Sequence, residues 1–597
     1  MRTTSKRGRL TAAAATLLTA AFMLVAPAHG ASAATKTLSV DLAQTRGPAT
    51  GVGEGFLYGV SQDGTQPADQ YLQPLGINAF RGGGWFSGGW IKDNYSYGSA
   101  TKADIDSIVA QARRLTQPPY HAEYQVLVSD LWGNNGGQPS NETYPCDNGN
   151  CSNWISFIDS TVGALQASGL PFAYDIYNEP DISVFWTRGM NSPQYFQMWD
   201  TAYREIRRIA PNAKIVGPSL AFTPQSNPGE WSTWLAHVKA AGTVPDMITN
   251  HDEGDVDDPV TVSQSINNAL SAAGIPARPL SANEYQPADR QTAGVTAWYL
   301  ARFAQSGYTN AMRGNWVCCM TPNLTGVLTQ SGGTWQPNGN WWALRTYADL
   351  TGTLVGTSGQ VDSTAISASE DSAAKRAVAV IGDSNGYTGA ASVTFAGLSS
   401  VPWLAGNGSV NVTVERIPDQ APLGAPQVVY NQNLSTSAGS LTVPITFQAA
   451  HDAFAVYVTP TGSTSGGTSG ELHAVGAGKC LDVPNASTTA GTQVQIWDCS
   501  GGSNQIFTRT SSNQLTVYGG SSQMCLDANS QGTSPGTKVI VWPCNNQANQ
   551  QWNLNSDGTV TSALSGLCLD VTGGSTANGA PVELWTCNGG SNQRWTF

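Results

Sequence analysis

Three copies of one pattern close the chain and dictate how its last 127 residues must fold. Cys480-Leu-Asp482, Cys525-Leu-Asp527 and Cys568-Leu-Asp570 recur at intervals of 45 and 43 residues. A second cysteine follows each of them 19 residues later, at Cys499, Cys544 and Cys587. Each copy ends on an Asn-Gln-x-aromatic run: Asn504-Gln505-Ile-Phe507, Asn549-Gln550-Gln-Trp552 and Asn592-Gln593-Arg-Trp595. Self-similarity at such a period marks a repeated structural unit. The equal spacing makes one local disulfide per unit the economical pairing: Cys480–Cys499, Cys525–Cys544 and Cys568–Cys587.

These residues resemble the three subdomains of a ricin-type β-trefoil lectin, also called carbohydrate-binding module family 13. The resemblance covers 471–597. It implies one sugar pocket per unit, built from an Asp, a polar residue, an aromatic and the Asn-Gln pair. The first unit supplies Asp482, Gln495, Trp497, Asn504 and Gln505. The second supplies Asp527, Trp542, Asn549 and Gln550, with Ile540 where a polar residue is usual. The third supplies Asp570, Glu583, Trp585, Asn592 and Gln593, with Glu583 able only to accept. The chemistry suits a sugar: carboxylate and amides bond two hydroxyls while an indole covers the apolar ring face. Another reading makes the Gln and aromatic residues core.

The other end of the chain sets the compartment. Arg2, Lys6, Arg7 and Arg9 precede an apolar run, Leu10 to Val25, and a small-residue site at Ala31-Ser32-Ala33. This pattern predicts a secretory signal over 1–33 and an extracellular mature protein. The ten cysteines then lie in an oxidising space where disulfides form. The net charge of −12 leaves no basic surplus for binding a phosphate backbone, which excludes nucleic acid as the partner. No later segment is apolar enough to span a membrane, and a monomer is expected.

Between these ends, apolar β-like runs alternate with helical patterns. The runs are Phe56–Val60, Ile77–Arg81, Tyr124–Asp130, Phe172–Asn178, Lys214–Gly217, Met247–His251, Leu280–Glu284 and Ala311–Val317. Helical periodicity occupies Thr101–Gln117, Trp154–Ser168, Gln194–Ala210, Trp231–Ala241, Val262–Ala273, Thr292–Gln305 and Asn340–Leu350. Eight strands alternating with helices predict a (β/α)8 TIM barrel over 34–352, with 34–45 free to join the next domain instead. A doubly wound sheet is the competitor, but Gly51-Val-Gly-Glu-Gly55 precedes the first strand instead of following it. From 353 to 460 the period changes to alternation, which predicts an accessory antiparallel β-sandwich. Residues 461–470 read as a flexible linker, and 471–597 as the trefoil.

The barrel carries two carboxylates at strand ends. Asn178-Glu179-Pro180 closes the fourth strand and Asn283-Glu284 closes the seventh, 105 residues on. Active residues of such barrels sit at the C-terminal ends of strands, so both glutamates would face one pocket. Glycoside hydrolysis needs this pair, one to protonate the leaving oxygen and one to attack the anomeric carbon or activate water. The layout resembles the retaining (β/α)8 glycosidases of clan A. The resemblance makes Glu179 the acid/base, Glu284 the nucleophile, and Asn178 a ligand of the sugar hydroxyl beside the reacting carbon. Asp175 reads as a hydrogen-bonded interior carboxylate.

Further pocket candidates follow from position. Arg81 ends the second strand and would hold the nucleophile by a charge-assisted bond. His251 ends the sixth and would meet Glu284 or the sugar. Trp85, Trp90, Trp132 and Trp316 lie in or beside strand-end loops and would stack on sugar faces or pack. Cys146 and Cys151 are near neighbours and pair with each other. That leaves Cys318 and Cys319 to form a vicinal disulfide, an apolar platform under the sugar; the alternative leaves each free or paired elsewhere. No His has ligand spacing with these thiols, so no metal and no cofactor is expected.

With its sandwich and its strand-four Asn-Glu-Pro, 34–460 resembles glycoside hydrolase family 39 most, with clan A families 5, 30 and 79 as competitors. Family 39 includes xylosidases, iduronidases and enzymes that remove arabinose-containing side chains from arabinogalactan. The resemblance implies plant polysaccharide or oligosaccharide as substrate, leaning to an α-L-arabinofuranosyl linkage. The alternatives are a β-xylosidase, an endo-glycanase, an inverting hydrolase, or a non-catalytic glycan-binding protein.

Overall fold

The computed structural model describes residues 35–596, apart from 84–101, 130–143, 184, 255–256, 315–320, 360–362, 462–468, 501, 511–512, 519–522, 546 and 556–557. The proposed signal segment lies outside the described residues, as do Trp85, Trp90, Trp132, Trp316, Cys318 and Cys319.

Eight parallel strands close into a barrel: β2 (Gly55–Leu57), β3 (Ala79–Gly83), β4 (Glu123–Leu127), β5 (Ala173–Asp175), β6 (Lys214–Leu220), β7 (Met247–Asp252), β8 (Leu280–Tyr285) and β9 (Asn310–Arg313). Closure comes from β2 against β9, with Gly55 beside Met312 and Phe56 beside Arg313. The barrel is the expected TIM-like one. Its outer helices are α2 (Lys102–Leu115), α3 (Ser152–Ala167), α4 (Pro193–Ile209), α5 (Pro228–Ala241), α6 (Pro259–Ala272), α7 (Ala293–Phe303) and α8 (Gly339–Tyr347). A short helix, α1 (Asp69–Leu72), follows β2.

Helices α5 and α6 begin three residues before their apolar periodicity does. Pro228 and Pro259 occupy the first turn, where the missing N–H costs nothing. Asp258 caps α6 by accepting from Val260 N at 3.1 Å, and Asn338 caps α8 the same way. Arg302 of α7 holds both oxygens of Asp258 at 2.8 and 2.6 Å, so a cap also joins neighbouring helices.

The barrel interior changes character along the strands. Ala173, Val216 and Met247 form a small apolar layer. Asp175 lies two residues after Ala173 on β5 and points the same way, into the barrel. There it meets Arg81, Ser219 and Asn283, all fully buried. The polar interior is thus at the C-terminal end of the strands.

Nine strands form the second unit in the order β17-β16-β19-β14-β13-β12-β1-β15-β18. They are β1 (Lys36–Pro48), β12 (Thr353–Ser358), β13 (Thr364–Asp371), β14 (Arg376–Asp383), β15 (Gly389–Ala396), β16 (Ser409–Ile417), β17 (Gln427–Ser435), β18 (Leu441–Phe447) and β19 (Ala453–Pro460). A hairpin of β10 (Leu328–Ser331) and β11 (Thr334–Pro337) precedes them. The expected all-antiparallel pairing needs one correction. The N-terminal strand β1 runs antiparallel to β12 and parallel to β15, because it enters from outside the local hairpins.

Strands β13 and β14 are buried on both faces. Ala365, Val378 and Val380 point into the barrel core. Their neighbours Ile366, Ala377, Ala379 and Ile381 point into the sandwich core. Helix α7 lies against this face so closely that β14 needs a glycine. A Cβ at Gly382 would stand 2.2 Å from the Trp298 nitrogen and 2.4 Å from the Gly294 carbonyl oxygen.

The C-terminal strands build the trefoil around one core. Leu481, Leu526 and Leu569 of the three Cys-Leu-Asp runs meet there with Phe507, Trp552 and Trp595. The disulfides Cys480–Cys499, Cys525–Cys544 and Cys568–Cys587 each span 19 residues, and Cys146–Cys151 spans 5.

Replacing Gly382 by Ala is predicted to destabilise by about 1–3 kcal/mol through overpacking. Gly163 on α3 has open space around its missing side chain, so Gly163→Ala should stabilise by up to about 1 kcal/mol. Thermal unfolding of the two variants should therefore shift in opposite directions.

Candidate active site

Arg81 organises the C-terminal end of the barrel. Its Nε and Nη2 donate to Asp175 Oδ2 at 2.9 and 2.7 Å, and Nη1 pairs with Glu284 Oε1. Nη2 also donates to Asn178 Oδ1 at 2.7 Å. The anchor Asp175 is itself held, by Ser219 Oγ at 2.8 Å and Asn283 Nδ2 at 3.0 Å. Burial alone would lower the Arg81 pKa, but Asp175 and Glu284 more than offset it and raise it.

Glu179 and Glu284 meet across one imidazole. His251 Nδ1 lies 2.8 Å from Glu179 Oε1, and Nε2 lies 3.7 Å from Glu284 Oε1. The two glutamates, 105 residues apart in the chain, therefore open on the same cleft. Burial pushes His251 down to about 4, so the ring is neutral at pH 7. Burial pushes Glu179 up to about 7, against the pull of Arg81 and of the Asn178 amide, whose Nδ2 lies 3.3 Å from Glu179 Oε2. Glu179 also has a φ of +42°, a strained conformation for a residue with a side chain. Its N–H donates to the Ser219 carbonyl at 3.0 Å, which helps hold the strained turn.

Sequence reasoning placed Glu179, Glu284, Asn178, Arg81 and His251 at strand ends, and the structure brings all five together. Asn178 is 5% exposed and its amide is engaged by Arg81 and Glu179. A further carboxylate joins this group. Glu253, just past β7, has a carboxylate oxygen within 4.8 Å of atoms on Glu179 and His251. The signal was the His251-Asp-Glu253 run: side chains on a strand alternate, so His251 and Glu253 share a side. These three side chains could hold a cation by geometry. They are also the groups that a proton-transfer site would assemble.

The trefoil pockets share one scaffold. Asp482 Oδ2 accepts from Asn504 at 2.7 Å and Gln505 at 3.0 Å. Asp527 accepts from Asn549 and Gln550 at 2.8 and 2.9 Å, and Asp570 from Asn592 and Gln593 at 2.9 and 2.7 Å. Gln505, Gln550 and Gln593 are buried, and each carbonyl oxygen accepts from the backbone N–H of Ser500, Asn545 or Asn588. They hold the Asp and the adjoining loop instead of facing a ligand. Trp497, Trp542 and Trp585 are 44, 43 and 43% exposed, unusual for indoles unless they serve a surface. Among the described residues, the first unit alone adds a third donor, Gln495 Nε2 to Asp482 Oδ1 at 2.9 Å. Ile540 is buried at the matching position of the second unit, and Glu583 faces Asp570 in the third.

Residues 468–595 match the family of ricin-type β-trefoil lectin domains. The C-terminal part of the chain is a ricin-type β-trefoil. A curated relative is 22% identical over 372 residues: the 3-O-α-D-galactosyl-α-L-arabinofuranosidase of Bifidobacterium longum subsp. longum. That alignment takes in 54% of this chain, and the chain spans only 30% of the relative's length. Among solved structures, a protein of Neocallimastix frontalis aligns with a TM-score of 0.60 and 24% identity, over 72% of this chain and 100% of that one. A glucosidase from Croceicoccus marinus aligns with a TM-score of 0.52 and 14% identity, again over 72% and 100%. These two share the fold of the part of the chain with which they align.

Truncating Arg81 to Ala would leave Asp175 and Glu284 buried without their shared cation. The predicted cost is about 3–5 kcal/mol of unfolding free energy at neutral pH. Denaturant titrations of the variant and the wild type measure it.

Proposed function

We propose that the chain is a secreted retaining glycoside hydrolase that removes side chains from plant polysaccharide, with an α-L-arabinofuranosyl linkage in arabinogalactan as its target. The observation that carries this reading is the meeting of Glu179 and Glu284 at His251, at the open end of a TIM-like barrel. The two carboxyls differ in the way the reaction needs. Burial raises Glu179 to about 7, which keeps a proton available to the leaving oxygen. Glu284 pairs with Arg81, which holds in place the carboxylate that attacks the anomeric carbon.

In the first step Glu284 attacks as the glycosidic bond breaks, and the leaving oxygen takes the Glu179 proton. A glycosyl ester at Glu284 then removes one negative charge from the cleft. Glu179 becomes easier to ionise and accepts a proton from the water that hydrolyses the ester. His251, neutral and hydrogen-bonded to Glu179, keeps that carboxyl aimed through both steps. The sugar assignment is supported by the activity for which the Bifidobacterium relative is named and by the resemblance to glycoside hydrolase family 39. The lectin domain supports a polymeric or clustered glycan as the surface on which the enzyme works. Four disulfides among the described residues support an extracellular site of action.

Hydrolysis of aryl glycosides, with α-L-arabinofuranoside and β-xyloside compared, tests the reading. Glu284→Ala should lose about 10³-fold or more in kcat and regain turnover with azide, giving the inverted glycosyl azide. Full activity in that variant would refute the assignment. The kcat/KM of the wild type should fall as pH rises through about 7, because the acid form of Glu179 is lost there. Asp482→Ala should weaken retention on insoluble polysaccharide while hydrolysis of small substrates stays unchanged. An equal loss of both would show that the trefoil is not a separate binding part.

A further inference from the structure

Glu253 has no part in the steps above, yet it sits among the groups that perform them. One carboxylate oxygen lies within 4.8 Å of atoms on Glu179 and His251, and the carboxyl is in hydrogen-bonding contact with Glu284. Its Oε1 is buried and has no hydrogen-bond partner among the described residues. The titratable and charged groups facing it are Glu284 from β8, Glu179 from the turn after β5, His251 from β7, Arg81 from β3 and Tyr299 from α7. Arg81 is the cation of this set, and Asp175 already shares it with Glu284. Two ionised carboxylates in contact there would repel. One proton between them turns the contact into a charge-assisted O–H···O bond.

We propose that Glu253 is a positioning residue that keeps a proton at neutral pH and donates it in a hydrogen bond to the Glu284 carboxylate. The inference rests on the reading of Glu284 as nucleophile. Burial, with Glu284 and Glu179 alongside, holds the Glu253 carboxyl well above the usual carboxylate range. Arg81 and Glu253 then both donate to Glu284, which fixes its rotamer and stabilises its charge before attack and again when the ester is cleaved. The proton stays on Glu253 throughout. In the first step the electron pair of the broken glycosidic bond goes to the leaving oxygen, and the proton that follows it comes from Glu179.

Two variants and one spectrum decide the matter. Glu253→Gln keeps an N–H donor toward Glu284 and removes the ionisable proton. Its kcat/KM on an aryl glycoside should stay within about threefold of wild type, with the acidic limb of the pH profile in place. Glu253→Leu removes the donor, so kcat should fall about tenfold to a hundredfold and the acidic limb should move to higher pH. A folded but inactive Glu253→Gln would overturn the proposal, since an ionised Glu253 would then be required. So would a Glu253→Leu profile that superimposes on wild type. Infrared difference spectra need no substrate and do not depend on the nucleophile assignment. At pH 7 the carboxylic-acid C=O band of Glu179→Gln should lose intensity in Glu179→Gln/Glu253→Gln, and an unchanged band would overturn the proton assignment. Should Glu284→Ala retain full activity, the nucleophile reading fails by itself, while the spectrum still reports the Glu253 proton.

Discussion

One buried guanidinium holds the barrel's polar end together. Arg81 reaches from β3 to Asp175 and Asn178 on one segment of the chain and to Glu284 on another. A buried cation needs carboxylates, and buried carboxylates need a cation, so neither set tolerates loss of the other. The pairing also separates the roles of the two candidate carboxyls. Glu284 takes a direct bond from Arg81, whereas Glu179 meets a neutral imidazole and an amide.

Much of this was legible because barrel geometry turns strand position into spatial position. Glu179 and Glu284 close predicted strands, and a closed barrel brings such ends around one opening. Arg81, Asn178 and His251 were found by the same argument. Glu253 was not, because it follows the end of the sixth strand, where a loop carboxylate looks solvated. Ser219, which holds Asp175 together with Asn283, was invisible for another reason: a small polar residue on a buried strand has no pattern of its own. Strand β13 reads Thr-Ala-Ile-Ser-Ala-Ser-Glu-Asp, and its two buried faces erase the alternation by which strands are found. The early starts of α5 and α6 were readable from Pro228 and Pro259, had the first turn been sought ahead of the apolar stripe.

The trefoil shows how a repeated sequence yields unequal sites. The Asp, the Asn and the Gln recur with nearly the same bonds in all three units. These bonds are what the repeat preserves, and they belong to the scaffold as much as to any ligand. What differs is the residue beside each Asp: an amide in Gln495, a methyl-bearing chain in Ile540, a carboxylate in Glu583. Hydrogen-bonding capacity therefore varies from pocket to pocket while the exposed indole does not.

The alternation of β14 between two cores has a bearing on where the chain can be cut. Val378 and Val380 complete the packing against α7, so the sheet is a structural wall of the barrel and not a passenger behind it. A fragment stopped after α8 would present the bare apolar flank of α7 to water and invite self-association. Anyone designing a shorter expressed form should keep 36–460 as one piece and make the break after Thr461.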